Sequence, residues 1–320
     1  MNLHILGIDI SKAKFDIALF NADKIFCKKF DNSNSGFLLL EQWLIKKKVD
    51  KLHACLEATG VYGDKLAFFL HNKNHIVSVV NPAQIKGFAQ SELARTKTDK
   101  ADAKLIARFC KAINPTPWEP IPEGIKQLQS MVRRLDVLIS MHRQECNRLE
   151  VSEEILLDSI QASIDFIESQ IKDIKSRIKN HIDIDPDLKA KSKLLQTIPG
   201  VGDATIAQVL AFISEAGKFK SAKQVAAFIG LNPKHRISGS SVRGKAHLSK
   251  TGNSALRKAF YMPAVVAKNH NPVIKEFCKR LEAKGKHTMC IIGAAMRKLI
   301  HIIYGVLKSG KPFSLELCYS

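Results

Sequence analysis

The chain has 320 residues, 45% of them hydrophobic, and a formal net charge of +20. That length accommodates two domains, or two domains and a connector, and the charge favours a polyanionic partner. Seven cysteines, an odd number with no Cys-x-x-Cys spacing, argue against a disulfide framework or a zinc ribbon and fit a reducing cytoplasm.

Residues 3–30 read as three short strands. LHILGIDI is apolar and β-branched, KFDIALF and KIFCKKF alternate, and the turn-rich SKA and NAD separate them, so an antiparallel meander follows. Asn32 or Ser33 caps a helix over FLLLEQWLIKKK. KLHACLEA is a fourth strand, YGDKLAFFLHNK a helix, and HIVSVVN a strand broken by Pro82. After a basic loop, DKADAKLIARFCKAI has helical period. Three strands, helix, strand, helix, strand, helix is the order of a ribonuclease-H-like α/β fold. No G-x-G-x-x-G follows the first strand, so a dinucleotide-binding fold fits less well.

The Pro-rich segment PTPWEPIPEG ends this N-terminal domain, placed at 1–118. A helical coiled-coil connector follows at 119–185. Leu157, Ile160, Ile164, Ile167, Ile171, Ile174 and Ile178 step by threes and fours, and an earlier helix has a looser seam through Leu128, Val132, Leu135 and Ile139. Either an internal hairpin or a dimer interface satisfies this pattern. The remainder, 186–320, is a basic, mostly α C-terminal domain with a helix-hairpin-helix-like motif. It holds 23 Lys+Arg against 6 Asp+Glu, and no acid lies between Glu215 and Glu276. Such a stretch reads as a phosphate-binding surface. No basic-then-apolar signal pattern opens the chain, and no apolar run reaches the ~20 residues of a membrane helix. A cytoplasmic, nucleoid-associated location without membrane contact is expected.

Four acids are candidate catalytic residues. Asp9 lies in an apolar strand, where a carboxylate is costly unless paired or metal-bound. Glu57 closes a second strand in a like setting. Asp99 and Asp102, three apart at a helix start, share one face, although an N-terminal acid there is also favoured by the helix dipole. In the ribonuclease-H order the first strand, the fourth strand and the last helix meet at one edge. Four converging carboxylates would repel unless Mg²⁺ ions relieved them, and such ions polarise a phosphodiester. Asp16 and Asp64 are read as surface residues.

In the basic domain, IPGVGDATIAQVLAFI sets Gly200 and Gly202 where backbone amides of a following helix could meet a phosphate. Lys234, Arg236, Arg243, Lys245, Lys250 and Arg257 are candidate nucleic-acid contacts. Ser238, beside Gly239 in a cationic loop, is a candidate nucleophile, although Ser-Gly loops are usually just loops. The tyrosines are Tyr62, Tyr261, Tyr304 and Tyr319, none in that loop, which disfavours a tyrosine recombinase.

GIDISKAKFDIAL, LEATGVYG, RTKTDKADAKLIARF, IPGVGDATIAQVLAFI and GLNPKHRISGSSVRGKAHLSKTGNSALRKA together resemble the insertion-sequence transposases with a DEDD catalytic domain. These are related to the pilin-gene inverting recombinase and described as bridge-RNA-guided recombinases. The resemblance implies Asp9, Glu57, Asp99 and Asp102 as Mg²⁺ ligands and Ser238 as nucleophile, with Ser240 standing where many members have glycine and Ser241 following it. It also implies a structured guide RNA, donor and target DNA, and a homodimer or homotetramer whose protomers share the site. A hydrolytic junction resolvase using the acids alone is the competing enzyme, and a non-catalytic nucleic-acid-binding protein is the competing non-enzyme.

Overall fold

The computed structural model describes all residues except 1–2, 22–23, 59, 61, 94–97, 215–218, 239–241 and 316–320; the side chains of 235–246 also lie outside the description. The chain divides into two compact units, 1–121 and 122–320.

In the first unit, strands β1 (His4–Ile10), β2 (Lys14–Asn21) and β3 (Lys24–Asp31) form the expected meander. Helix α1 (Asn34–Lys46) follows, with Ser33 as its cap: the hydroxyl accepts from the Gly36 amide at 3.2 Å. Strands β4 (Leu52–Glu57) and β5 (Ile76–Val80), joined through α2 (Asp64–Asn72), lie parallel to β1. The sheet order is β3-β2-β1-β4-β5. This arrangement is compatible with a ribonuclease-H-like domain.

Period-two alternation divides the sheet into two faces. Leu6, Ile8, Ile10, Phe15, Ile17 and Leu19 pack on Phe37, Leu40, Leu44, Leu66 and Leu70 of α1 and α2. The opposite face is covered by α4 (Asp99–Ile113) through Ala103 and Ala107 beside Ala18, and through Leu105, Ile106 and Phe109. The segment read as a basic loop after Pro82 begins with a helix, α3 (Pro82–Ser91). Pro82 starts it rather than only ending β5: its missing N–H costs nothing in a first turn, and Asn81 caps the Ala83 amide at 2.9 Å.

In the second unit, α5 (Glu123–Leu149) and α6 (Glu154–Ile184) form an antiparallel hairpin, with His181 bonded to the Gly124 carbonyl and His142 to Glu168. Ile164, Ile167 and Ile178 of the isoleucine seam are buried against the hairpin, while Leu157, Ile160, Ile171 and Ile174 are half-buried. On α5 the seam runs through Leu138 rather than Ile139, which is 40% exposed. The inner half of the hairpin shares a core with α7 (Pro186–Gln196), α8 (Asp203–Phe212) and the helices beyond. Those are α9 (Ala222–Ile229), α10 (Ser254–Ala259), α11 (Tyr261–His270), α12 (Pro272–Ala283) and α13 (Thr288–Ser309). Between α9 and α10 lies a two-stranded ribbon, β6 (Pro233–Ser238) and β7 (Val242–Leu248), whose Leu248 packs against the helical core.

One expectation needs correction here. Helix α13 is 22 residues long with mean hydropathy 1.6, long and apolar enough to cross a membrane. Its apolar side, including Ile291, Ala295, Leu299, Ile300 and Ile303, is buried in the core of the second unit, which accounts for its composition.

Candidate active site

The acidic site is built by register. Asp9 of β1 lies opposite Asp16 of β2, and Asp16 lies opposite Lys29 of β3. On the other side, Ile8 pairs with Leu56 of β4, and Asp9 and Glu57 are the next residues along those parallel strands. A row of charged residues therefore crosses four strands at the carboxyl ends of β1 and β4, where open sheets commonly bind ligands.

Helix α4 adds the other two acids. Thr98 caps it, accepting from the Ala101 amide at 3.2 Å, so Asp99 and Asp102 fall in its first turn. The close approach of α4 depends on Gly7. A Cβ there would lie 2.2 Å from the Ala103 carbonyl oxygen and 2.3 Å from the Ala107 nitrogen. Only a residue without a side chain lets the helix backbone lie this near β1. Gly7→Ala is accordingly expected to destabilise the first unit by ~1–3 kcal/mol, read by urea unfolding, as overpacking pushes α4 from the sheet. Unchanged stability would refute this role for Gly7.

The electrostatics mark the acids as one cluster. The Asp9 carboxyl is pushed up to about 6, chiefly by burial, then by the charges of Asp102, Asp99 and Asp16. Glu57 is also raised, by burial and then by Asp9 and Asp102. Lys29 answers part of this negative charge: its Nζ lies 3.1 Å from Asp16 and 3.4 Å from Asp99. Asp16 is 15% exposed and belongs to the site, which corrects its reading as a surface residue. Asp99, 69% exposed, stands at the margin. Asp64, in the first turn of α2, stays outside the cluster. Asn32, which is not the cap of α1, instead donates to the carbonyls of Ser11 and Tyr62 at 3.0 and 3.1 Å. It thereby ties together the segments that leave β1 and β4, just beyond Asp9 and Glu57.

The donor set suits a hard divalent cation: carboxylate oxygens only, crowded enough to raise each other's proton affinity. Among the described residues no three such side chains stand in a metal-holding arrangement.

The candidate nucleic-acid residues of the second unit divide by geometry. Gly200 has φ +94°, and a Cβ on it would lie 2.8 Å from Ala267, so this glycine seats the turn against α11. The buried Asn271 reinforces the seat by donating to the Pro199 carbonyl at 3.3 Å. Gly202 faces open space as the N-cap of α8, without a side-chain cap bond. Lys234 and Lys250 are exposed. The segment containing Ser238 is not simply a loop: Ser238 ends β6 and pairs with Val242. The side chains of Arg236, Ser238, Arg243 and Lys245 lie outside the described residues, as do Ser240 and Ser241 apart from their place in the sequence. Arg257 donates to two backbone carbonyls, those of Ile229 and Lys250.

An acidic cluster on such a sheet, followed by a strongly basic helical unit, is compatible with a DNA-processing enzyme, and the class itself comes from comparison with known proteins. Residues 6–158 match a DEDD family model described as transposase, and residues 192–279 match the family described as "Transposase IS116/IS110/IS902 family". The chain is 34% identical over 324 residues to the pilin gene-inverting proteins of Moraxella lacunata and of Moraxella bovis, with 99% of each chain covered. A 43.6 kDa protein of insertion element IS110 from Streptomyces coelicolor is 28% identical over 158 residues, 49% of this chain and 38% of that one. The chain belongs to the IS110/IS116 family of insertion-sequence transposases and is a DNA recombination enzyme.

Proposed function

We propose that the chain cuts and rejoins donor and target DNA with a divalent ion, Mg²⁺ in the cell, at Asp9, Glu57, Asp99 and Asp102, and with Ser238 as nucleophile. The observation that carries the metal reading is geometric: Asp9 and Glu57 close adjacent parallel strands, and the helix that carries Asp99 and Asp102 in its first turn lies against β1 at Gly7, so that burial and mutual charge raise the Asp9 and Glu57 carboxyls. When bound, the ion neutralises that charge and polarises the phosphodiester. Lys29 keeps Asp99 oriented through its paired contacts, and Asn32 holds the two strand exits.

Ser238 Oγ then forms a bond to phosphorus as the bond to the leaving DNA oxygen breaks. The serine hydroxyl proton is transferred overall to the leaving oxygen, which is released as a DNA hydroxyl. Rejoining reverses this exchange with a second DNA end, which conserves the phosphodiester. Support for the serine comes from its place in a ribbon rich in Lys and Arg, within the 192–279 match.

We further infer, on the family resemblance alone, a structured guide RNA, and a dimer or tetramer in which the acids and the serine come from different protomers. The acid-free stretch between Glu215 and Glu276 suits a nucleic-acid partner of either kind. The test is strand cleavage of DNA carrying element ends, with copurified RNA retained. Cleavage is expected with Mg²⁺ or Mn²⁺ and not with EDTA. Full activity in EDTA would refute the metal reading, and sequencing that finds no specific copurified RNA would refute the guided one.

A further inference from the structure

We propose that Arg257 is a positioning residue that locks the root of the β6–β7 ribbon and thereby sets where Ser238 stands, not a phosphate contact. This rests on the reading of Ser238 as nucleophile.

The ribbon leaves the helical body at the end of α9 and returns to it ahead of α10. At that joint the chain is bonded to itself repeatedly. The Ser249 amide donates to the Asn232 carbonyl at 2.8 Å, Lys250 to Gly230 at 3.2 Å, and Asn253 to Phe228 at 2.8 Å. Arg257, on α10, adds the side-chain bolt. Its Nη1 donates to the Ile229 carbonyl at 2.9 Å and to the Lys250 carbonyl at 3.2 Å, which joins the outgoing and returning segments through one atom. Ile229 is the last residue of α9, so its carbonyl lies at the negative end of the helix dipole, and a guanidinium there is favourable.

The joint has no slack. Gly230, Lys250 and Gly252 all have positive φ, at +81°, +55° and +140°. A Cβ on Gly230 would lie 2.6 Å from Arg257 Nη1, and one on Gly252 would lie 2.4 Å from the Phe228 carbonyl oxygen. Asn253 caps α10 by accepting from the Leu256 amide at 3.1 Å, which fixes the helix that carries Arg257.

A tight root matters because the ribbon is a lever. Ser238 is the last of six residues in β6, about 17 Å from Pro233 along an extended strand. A tilt of about 5° at the root moves that end by about 1.5 Å, and reacting groups must be held within about 0.5 Å.

The test uses the full-length protein with Arg257→Met and Arg257→Lys, measuring covalent protein–DNA adduct at saturating DNA alongside DNA affinity across a salt series. Arg257→Met is expected to form adduct at least ~10-fold more slowly with an unchanged salt slope. Arg257→Lys, one bond shorter, is expected to recover only part of the rate, because its ammonium can donate to both carbonyls only from a shifted position. Gly230→Ala, which crowds the same nitrogen, is expected to slow adduct formation while keeping the circular dichroism of the folded protein. A wild-type adduct rate in Arg257→Met would overturn the proposal. So would a salt slope reduced by about one, the mark of a lost phosphate contact, or loss of folded protein in Arg257→Met, Arg257→Lys and Gly230→Ala alike. If the wild type cleaves without any adduct, the serine reading fails first and carries this one with it, a result distinct from failure of Arg257 alone.

Discussion

Asp9→Asn is expected to abolish strand cleavage, by a factor on the order of 10³ or more, while making the metal-free protein more stable at pH 7. The two effects share one cause. In the folded chain the Asp9 carboxyl is raised from 3.8 to about 6, because burial and the charges of Asp102, Asp99 and Asp16 disfavour its ionised form. A raised carboxyl binds its proton more tightly folded than unfolded. Its contribution to stability is therefore intact below about pH 4 and is lost as the pH rises through 4 to 6. Above pH 6 the metal-free protein bears the whole penalty, which after allowance for solvent screening of a half-buried group is about 1–2 kcal/mol. Asparagine cannot ionise and escapes it. Urea unfolding in EDTA should show the variant ahead at pH 7, with the gap closing towards pH 4. A variant less stable than wild type at pH 7 would mean that Asp9 is a structural hydrogen-bonding group and not part of a charge-loaded metal site.

Ser238→Ala is expected to lose the covalent DNA adduct and the rejoining step altogether, on the order of 10⁴-fold or more, because the alanine side chain has no oxygen to accept phosphorus. The carboxylates lie in the other compact unit, so metal-dependent stabilisation of the first unit should persist in this variant. Ser240→Ala and Ser241→Ala should retain adduct formation. The measurement is detergent-resistant attachment of end-labelled DNA to protein. Adduct persisting in Ser238→Ala and vanishing in Ser240→Ala or Ser241→Ala would move the nucleophile to that neighbour.

Much of this site was legible in the sequence because strand order and helix period carry it. Asp9 and Glu57 stand near the ends of apolar strands, and the capped first turn of α4 brings Asp99 and Asp102 to one side. Asp16 and Lys29 were not legible as site residues, since their place depends on the register of β2 and β3 against β1, a property of paired strands rather than of any one strand. Gly7 carries no chemistry, and its importance appears only where α4 crosses β1. Helix α3 was hidden because Pro82 both ends a strand and starts a helix. The seam of α5 runs through Leu138 rather than Ile139, which instead lines the groove beside α8 and α11, a neighbour that a two-helix repeat does not anticipate. Arg257 reads as one more cation in a basic run, and only its bonds to two carbonyls distinguish it.

The most direct test of the central claim, that the four acids and the serine perform one reaction, is to map the protein–DNA linkage itself. Protein incubated with element-end DNA and Mg²⁺ is quenched in detergent, digested and sequenced by mass spectrometry. A nucleotide joined through phosphate to the Ser238 peptide is expected, absent in EDTA and absent from Asp9→Asn. Cleaved DNA free of protein, produced by Ser238→Ala at the wild-type rate, would contradict the account and leave a hydrolytic nuclease that works with the carboxylates alone.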